Sequence, residues 1–206
     1  MQMNKKGNLI IISGPSGGGK GTVVKKIREM MPELGLSVSA TTRSPREGEV
    51  DGREYYFISR DDFEEMIAGG EILEYTTYVG NYYGTPKAEA VRVTGEGRDL
   101  ILEIEVDGAS QIKRLMPEAL TIMLIPPTIS ELERRLRGRG TESEEIISGR
   151  LNKAREEILL APTYDYVVVN EDGKIDQCAE LICNIIRANR NSSARMKNIT
   201  DNFLDK

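Results

Sequence analysis

A glycine-rich turn near the start of the chain carries the residues best suited to bind phosphate. It occupies residues 14–22, follows an apolar stretch at 10–12 and leads into a helical pattern. Its four glycines before Lys20 allow consecutive backbone N–H groups to point inward as a nest for phosphate oxygens. The following helix adds its N-terminal donors and positive dipole end, and Lys20 adds a mobile charge. The pattern therefore predicts a P-loop that binds a nucleoside triphosphate, and makes a merely flexible turn a poor alternative.

The residue after Lys20 departs from the commonest P-loop. That version carries Ser or Thr there, whose hydroxyl binds Mg²⁺, whereas this chain has Gly21 followed by Thr22. Lys-Gly-Thr is familiar from nucleoside monophosphate kinases, in which the metal can be bound largely through waters and nucleotide oxygens. The turn thus favours phosphoryl transfer to a small acceptor, with Mg²⁺ as cofactor and no dedicated protein ligand for it.

Composition limits the classes of protein to which the chain can belong. Its 206 residues correspond to one domain with room for an inserted subdomain, and 39% of them are hydrophobic. The net charge of −5 argues against a general nucleic-acid-binding protein, which is normally basic. The chain has no histidine, which excludes Ser-His and Cys-His mechanisms. Phosphoryl transfer remains possible, because it depends on positioning and charge stabilisation.

The same composition predicts a cytoplasmic protein. No apolar run approaches the ~20 residues that a membrane span needs, and residues 1–7 lack the apolar region of a secretion signal. Cys178 and Cys183 are the only cysteines, and their spacing suits neither a zinc site nor a disulfide within one helix. We expect buried thiols in a reducing compartment and neither membrane nor nucleic acid as partners. The oligomeric state is left open.

Strands alternate with helices over most of the chain, which indicates a parallel α/β sheet. Residues 8–13 form a continuous, mostly apolar strand, and the helix that begins near Lys20 ends before Pro32. Further strands are predicted at residues 98–104, 120–125 and 164–169. An apolar stripe over residues 175–186 predicts the last helix.

Residues 37–90 interrupt this alternation. Short strands at 37–40 and 55–58, a helix capped by Ser59 and a hairpin through Gly80 predict a small antiparallel insert. Six of the eight tyrosines lie between residues 55 and 83, so the insert is rich in polar aromatic side chains.

Residues 130–160 predict a helical hairpin that can close over a ligand. Four arginines fall within six positions there, and glycines flank the last of them, Arg139. Thr141 and Glu144 form a capping box for the second helix.

Two pairs of arginines are candidates for binding phosphate. Arg43 and Arg46 flank Ser-Pro and could converge on one phosphate, or could pair with nearby acids in a solvated loop. Arg139 and Arg150 could neutralise charge on a transferring phosphoryl group, or could pair with acidic neighbours on an exposed helix.

Three acidic residues follow the strand at 98–104. Glu103, Glu105 and Asp107 lie where a parallel strand leaves the sheet, which is the usual ligand crevice. There they could order Mg²⁺ waters or bind the acceptor sugar. The alternative is a strand end that turns polar on reaching water.

Motifs along most of the chain resemble the guanylate kinase family. They are GPSGGGKGT at 14–22, SVSATTRSPREGEVDGREYYF at 37–57, ILEY at 72–75, NYYGTP at 81–86 and RLRGRGTESEEIISGRL at 135–151. They occur in order and with the expected spacing across about residues 7–188. The resemblance implies an α/β P-loop three-layer fold with a parallel central sheet, a small mixed GMP-binding insert and a helical lid. It also implies the Mg²⁺-dependent reaction of ATP with GMP to give ADP and GDP.

The resemblance implies a division of the chain and a set of roles. The core would be residues 1–36, 91–129 and 161–190, the insert 37–90, the lid 130–160 and a polar tail 191–206. ATP would bind to Gly14, Pro15, Ser16, Gly17, Gly18, Gly19, Lys20, Gly21, Thr22 and Asn170. GMP would bind to Ser39, Arg43, Arg46, Tyr55, Glu74, Tyr83, Gly84, Thr85 and Glu105. The catalytic set would be Lys20, Arg43, Arg139 and Arg150. The family usually has Ile-Asp-x-Gln-Gly where this chain has Ile104-Glu105-Val106-Asp107-Gly108.

Two other functions compete with this one. A guanylate-kinase-like scaffold that binds proteins would typically lack the P-loop lysine or the lid arginines, and this chain has Lys20, Arg139 and Arg150. A kinase of the same fold that acts on another nucleotide or a phosphorylated sugar is the nearer alternative, although Glu74 and the tyrosines favour GMP.

Replacing Lys20 with Ala should abolish phosphoryl transfer and leave the protein folded, because the side chain is expected to face phosphate and not the core. Comparable removals of charge lower rates on the order of 10³-fold. Coupled measurement of ADP release, with circular dichroism to check folding, would test this. Turnover near that of the wild type would contradict the P-loop assignment.

Overall fold

The computed structural model describes residues 6–138, 140 and 143–196. Its strands are β1 (Leu9–Ser13), β2 (Gly35–Leu36), β3 (Ala40–Thr41), β4 (Tyr56–Phe57), β5 (Ile72–Tyr78), β6 (Asn81–Pro86), β7 (Leu100–Glu103), β8 (Leu120–Ile125) and β9 (Tyr166–Val169). Its helices are α1 (Lys20–Met30), α2 (Arg60–Ala68), α3 (Lys87–Gly95), α4 (Val106–Leu115), α5 (Ile129–Arg137), α6 (Glu144–Ile158) and α7 (Ile175–Asn189), with a 3₁₀ turn at Ala161–Thr163.

The central sheet is parallel, with strands in the order β2-β7-β1-β8-β9. Every residue of β1 is buried, because helices cover both faces of the sheet and leave no side of the strand to water. The predicted strands at 8–13, 98–104, 120–125 and 164–169 are confirmed, although β1 begins at Leu9, β7 is shortened to Leu100–Glu103 and β9 begins at Tyr166. The edge strand β2 was not predicted, since two residues are too few to show a pattern.

Two helical layers cover this sheet and make it a three-layer fold. On one face, Val23 and Ile27 of α1 and Ile182 of α7 pack on alternate residues of β1 and β8. On the other face, Ala90 and Val93 of α3 and Ala109 and Ile112 of α4 complete a second apolar cluster. Helices α3 and α4 were not predicted from the sequence. No helix within the described residues is long and apolar enough to cross a bilayer.

A second sheet, in the order β4-β3-β6-β5, carries the tyrosine-rich segment. The hairpin of β5 and β6 is antiparallel, as predicted, and so is the pair β3–β6. The pair β3–β4 is parallel, so the sheet is mixed, as the family resemblance implied, and not antiparallel throughout, as the local pattern predicted. The strand predicted at 37–40 also shifts to Ala40–Thr41, because residues 37–39 lead from β2 of the central sheet to β3 of this one.

Helices α5 and α6 form the predicted helical hairpin, and Leu132, Leu136, Ile147 and Leu151 pack between them. Helix α6 begins with Ser143 as N-cap, whose hydroxyl accepts from the N–H of Ile146, so the cap lies two residues after the predicted one. Thr141 and Arg139 are outside the described residues.

A buried carboxylate joins distant parts of the chain. Asp99 is 5% exposed, and its oxygens accept from the N–H of Asn8 at 2.6 Å and from Asn8 Nδ2 at 3.1 Å. Arg190, just beyond α7, donates Nε to Asp99 Oδ2 at 2.8 Å. The start of β1 and the end of α7 thus depend on one side chain.

Replacing Asp99 with Asn should destabilise the fold by about 2 kcal/mol, because buried donors lose a charged acceptor. Urea unfolding followed by circular dichroism would measure the change. Asp176→Asn is the matched control, since Asp176 pairs with Lys26 on the surface and its loss should leave the midpoint unchanged. If the two changes shifted the unfolding midpoint equally, the buried contacts of Asp99 would contribute no more to stability than the surface ion pair of Asp176.

Candidate active site

The turn between β1 and α1 has the geometry of a P-loop. Gly14 has φ of +145°, and a Cβ at this position would lie 2.1 Å from the carbonyl oxygen of Leu124. Gly19 caps α1 with φ of +92°, a left-handed conformation that other residues rarely adopt. The Nζ of Lys20 donates to the Gly14 carbonyl at 2.6 Å. The lysine side chain therefore folds back over the loop, where both are expected to bind phosphate.

Side chains from two other segments hold the P-loop from outside. Asn170, at the end of β9, donates Nδ2 to the Gly18 carbonyl at 2.9 Å. Arg135 of α5 donates Nη1 to the same carbonyl at 3.4 Å and Nη2 to the Asn170 carbonyl at 2.8 Å. Glu131 accepts from Arg135 Nε at 2.7 Å, and Arg134 together with Arg135 lowers the pKa of Glu131 to about 2.

Sequence reasoning missed Arg135. It belongs to the run of arginines at 134–139, and nothing in the sequence distinguishes an arginine that contacts the P-loop from one on the surface. Arg134 and Arg137, in the same run, are exposed and pair with acids on the surface.

A cavity of about 690 Å³ lies between the P-loop, the second sheet and α6. We call it the central cavity. It brings together these predicted site residues: Ser16, Lys20, Ser39, Tyr55, Glu74, Tyr83, Gly84, Glu105 and Arg150. Residues from all three parts of the chain thus meet around one space, and its volume is typical of a small-molecule site.

Glu74 presents a buried carboxylate to this cavity. Its residue is 5% exposed, and Thr85 donates its hydroxyl to Glu74 Oε1 at 2.7 Å. Burial raises the pKa of Glu74, the bond from Thr85 opposes that shift, and the charge of Glu105 adds to it. A carboxylate with one oxygen engaged and little access to water is suited to accept hydrogen bonds from a ligand.

Gly108 of α4 lies against Glu74. A Cβ at position 108 would be 2.5 Å from Glu74 Oε2 and 3.0 Å from its carboxyl carbon, so any side chain there would displace the carboxylate. Sequence reasoning recognised Gly108 as part of a motif but did not connect it with Glu74, because the two residues lie on separate elements.

Arg43 is already paired with a carboxylate. Its Nη1 and Nη2 each donate to Glu49 at 2.9 Å. The bond to Glu49, with a smaller contribution from Tyr83, raises the pKa of Arg43, and the bonds from Arg43 and from the N–H of Arg46 lower the pKa of Glu49. The guanidinium lies 5.5 Å from the ring centre of Tyr55. The loop ion pair foreseen as the alternative for Arg43 is thus present, with Glu49 as its partner. Arg46 is exposed, and its N–H donates to Glu49 at 2.7 Å.

Two of the three acids at the carboxyl end of β7 line the cavity, namely Glu103, the last residue of the strand, and Glu105. The carboxylate of Glu103 lies 3.4 Å from where a Cβ of Gly21 would be, and Glu105 Oε1 is 3.6 Å from Lys20 Nζ. Burial raises the pKa of Glu103, while the charge of Lys20 acts in the opposite direction. Asp107 is exposed in the first turn of α4. Within the described part of the chain, no three acidic or cysteine side chains are arranged to hold a metal ion.

The comparisons with known proteins agree with this geometry. The guanylate kinase family model matches residues 6–189. The guanylate kinase of Lactococcus lactis is 53% identical over 186 residues, 90% of each chain. That of Clostridioides difficile is 50% identical over 195 residues, 95% of this chain and 94% of the relative. The crystal structure of guanylate kinase from Anaplasma phagocytophilum matches with a TM-score of 0.73 and 31% identity, over 95% of this chain and 92% of that one.

The P-loop, the parallel sheet and the helical hairpin beside a shared cavity define a nucleoside monophosphate kinase. With these matches, the chain belongs to the guanylate kinase family.

Replacing Gly108 with Ala should raise the KM for GMP about tenfold or more, since a misplaced binding group is costly and the new methyl group would push Glu74 away from Thr85. The KM for ATP should stay unchanged. Steady-state kinetics with each nucleotide varied in turn would show this. Gly95→Ala is the control, because a Cβ there meets nothing within 4 Å. An unchanged KM for GMP would mean that the carboxylate can relocate without consequence.

Proposed function

We propose that this chain transfers the γ-phosphoryl group of ATP to GMP, with Mg²⁺, and forms ADP and GDP. One observation carries the proposal: the buried carboxylate of Glu74 opens into the same cavity as the P-loop lysine, Lys20. An acceptor base bound at Glu74 and a donor triphosphate bound at the P-loop would thus meet in one space.

Glu74 selects the acceptor base. Guanine carries two adjacent donors, N1–H and the 2-amino group, and a carboxylate can accept both. Ser39 and Gly84 line the same cavity as Glu74, and buried Thr85 orients Glu74 from behind through its hydroxyl. Glu105, which also lines the cavity, adds a second acceptor.

Arg43, Arg46, Tyr55 and Tyr83 bind the acceptor phosphate. Arg43 supports this assignment because its two donors already grip a carboxylate, Glu49, in the fork geometry that suits phosphate. The phosphate would replace Glu49 as the partner of the guanidinium. Tyr55 and Tyr83 are in edge contact, with ring centres 5.9 Å apart, and present their hydroxyl-bearing rings to the cavity.

The P-loop binds the donor triphosphate. The backbone N–H groups of residues 14–22 and the start of α1 would hold its phosphates. Lys20 would leave the Gly14 carbonyl for the outer phosphates, and Arg139 and Arg150 would stabilise the charge that develops during transfer. Asn170 would lie next to the donor base, at a position where its side chain also fixes the Gly18 carbonyl.

Mg²⁺ would neutralise charge on the phosphates of the donor. The residues present fit such an ion, since Glu103 lies beside Gly21, where other P-loops place a metal-binding hydroxyl. Glu103 would hold waters of the ion, and the nucleotide would supply most of its ligands. Glu105 stays close to Lys20 and keeps that cation near the site until phosphate arrives.

The chain would work as a core of residues 1–36, 91–129 and 161–190, an insert at 37–90 and a lid at 130–160. Support comes from the central cavity, which is lined by all three. Closure of insert and lid would exclude water, so that ATP is not hydrolysed.

The two cysteines suit a reducing cytoplasm. Cys178 and Cys183 are free and buried, and burial raises the pKa of Cys178 to about 11.

GMP should be a good acceptor and AMP nearly inert. Adenine has an unprotonated N1 that would face Glu74 lone pair to lone pair, and such mismatches reduce acceptance by roughly 10⁴-fold. ADP release measured with GMP, AMP, CMP and UMP would test the choice. Equal use of these acceptors would refute the guanylate assignment, although a kinase with another acceptor preference would survive.

Glu74→Gln should weaken the binding of GMP and reduce the difference in phosphorylation rate between GMP and AMP, because the side-chain amide can donate a hydrogen bond to adenine N1. Glu64→Gln is the control in the insert, since Glu64 lies on α2 and pairs with Arg60 on the surface. Unchanged acceptor preference in the Glu74 variant would show that other groups read the base.

A further inference from the structure

Three charged side chains follow one another along the face of α6 that borders the central cavity. Arg150 and Lys153 both line the cavity, and Glu157 lies one turn beyond Lys153. Spacings of three and four residues place all three on one side of a helix. The roles proposed above use only Arg150, so Lys153 and Glu157 have no function yet.

Glu157 is a buried acid. Its side chain is 6% exposed, and Glu157 Oε1 lies 3.7 Å from Lys153 Nζ. Burial raises the pKa of Glu157, Lys153 and Lys20 act against that shift, and Glu105 and Asp107 reinforce it. The charges of Lys20 and Glu105, which line the central cavity, thus act on this carboxylate. A buried carboxylate is costly unless a cation compensates it.

Lys153 therefore differs from an ordinary surface lysine. An ion pair between an exposed lysine and an exposed acid adds little to stability, because both side chains lose conformational freedom when they pair. Here one partner is fixed by burial, while Lys153 itself is 56% exposed and borders the cavity. Glu157 thus holds a solvent-accessible ammonium group at the wall of the central cavity. The Lys153 side chain therefore loses little conformational entropy when a ligand binds.

We propose that Lys153 is a further phosphate-binding cation of the active site and that Glu157 is its positioning residue. In the complex with both nucleotides, the ammonium group of Lys153 contacts the phosphate chain between acceptor and donor. Glu157 holds the lysine from the next turn of α6. The inference rests on the proposed function, because it needs phosphates in the central cavity.

The first test removes the charge and keeps the length. Lys153→Met should lower kcat about tenfold, and should weaken by about tenfold the binding of adenosine and guanosine joined by five phosphates. Calorimetry measures that affinity without catalysis. Binding of GMP alone should not change, because the lid contacts phosphate only when both halves are present. Lys153→Arg keeps the charge and should recover most of the loss.

The second test separates positioning from direct contact. Glu157→Gln should lower kcat with little change in the KM for GMP. The double variant with Lys153→Met should lose no more than Lys153→Met alone, since residues that act as one unit are not additive. Arg155→Met is the control, because Arg155 lies on the exposed side of α6 and bonds to Asn152.

Two results would overturn the inference. One is Lys153→Met with kcat and bisubstrate affinity within twofold of wild type, and the other is full additivity of the two changes. Failure of the proposed function is distinguishable, because wild-type protein would then not phosphorylate GMP in the same assay. Thermal unfolding of each variant separates loss of contact from loss of fold, and Lys153→Arg gives the answer if Lys153→Met is unstable.

Discussion

The active site depends on how the protein satisfies the backbone carbonyls of its phosphate-binding turn. A turn whose N–H groups point inward leaves its carbonyls pointing outward, and buried carbonyls need donors. Lys20 provides one from within the loop, and Asn170 and Arg135 provide others from β9 and α5. The turn is therefore shaped by residues far from it in the chain. Arg135 thereby links α5, the first helix of the helical hairpin, to this turn.

Three cations assigned to phosphate already contact oxygen atoms of the protein. Lys20 contacts the Gly14 carbonyl, Arg43 grips Glu49, and Lys153 faces Glu157. At Lys20 and Arg43 a ligand phosphate would therefore replace an existing acceptor, while Glu157 would stay beside Lys153, so the phosphate would not meet a fully hydrated charge at any of the three. This reduces the attraction for a single phosphate but holds the side chains in place beforehand, which favours orientation over affinity.

Local patterns in the sequence predicted much of the fold and part of the site. The turn at residues 14–22 and the buried strands were foreseeable because spacing and composition encode them directly. The contacts of Arg135 with the P-loop and of Gly108 with Glu74 were not foreseen, because they join residues tens of positions apart or more and no local pattern records such a contact. Glu157 was not singled out either, because its spacing from Lys153 is local but its burial does not follow from that spacing. The resemblance to a family supplied residue roles that periodicity alone could not.

The buried link through Asp99 also places the two ends of the described chain side by side. Asn8 and Arg190 share its carboxylate, and Arg195 donates to the carbonyl of Lys6 at 2.5 Å. A few residues would suffice to join these ends covalently. New ends could then open at the exposed tip of the β5–β6 hairpin, at Val79. The order in which the chain is synthesised is thus separable from the architecture, and circular permutants should reach the same fold.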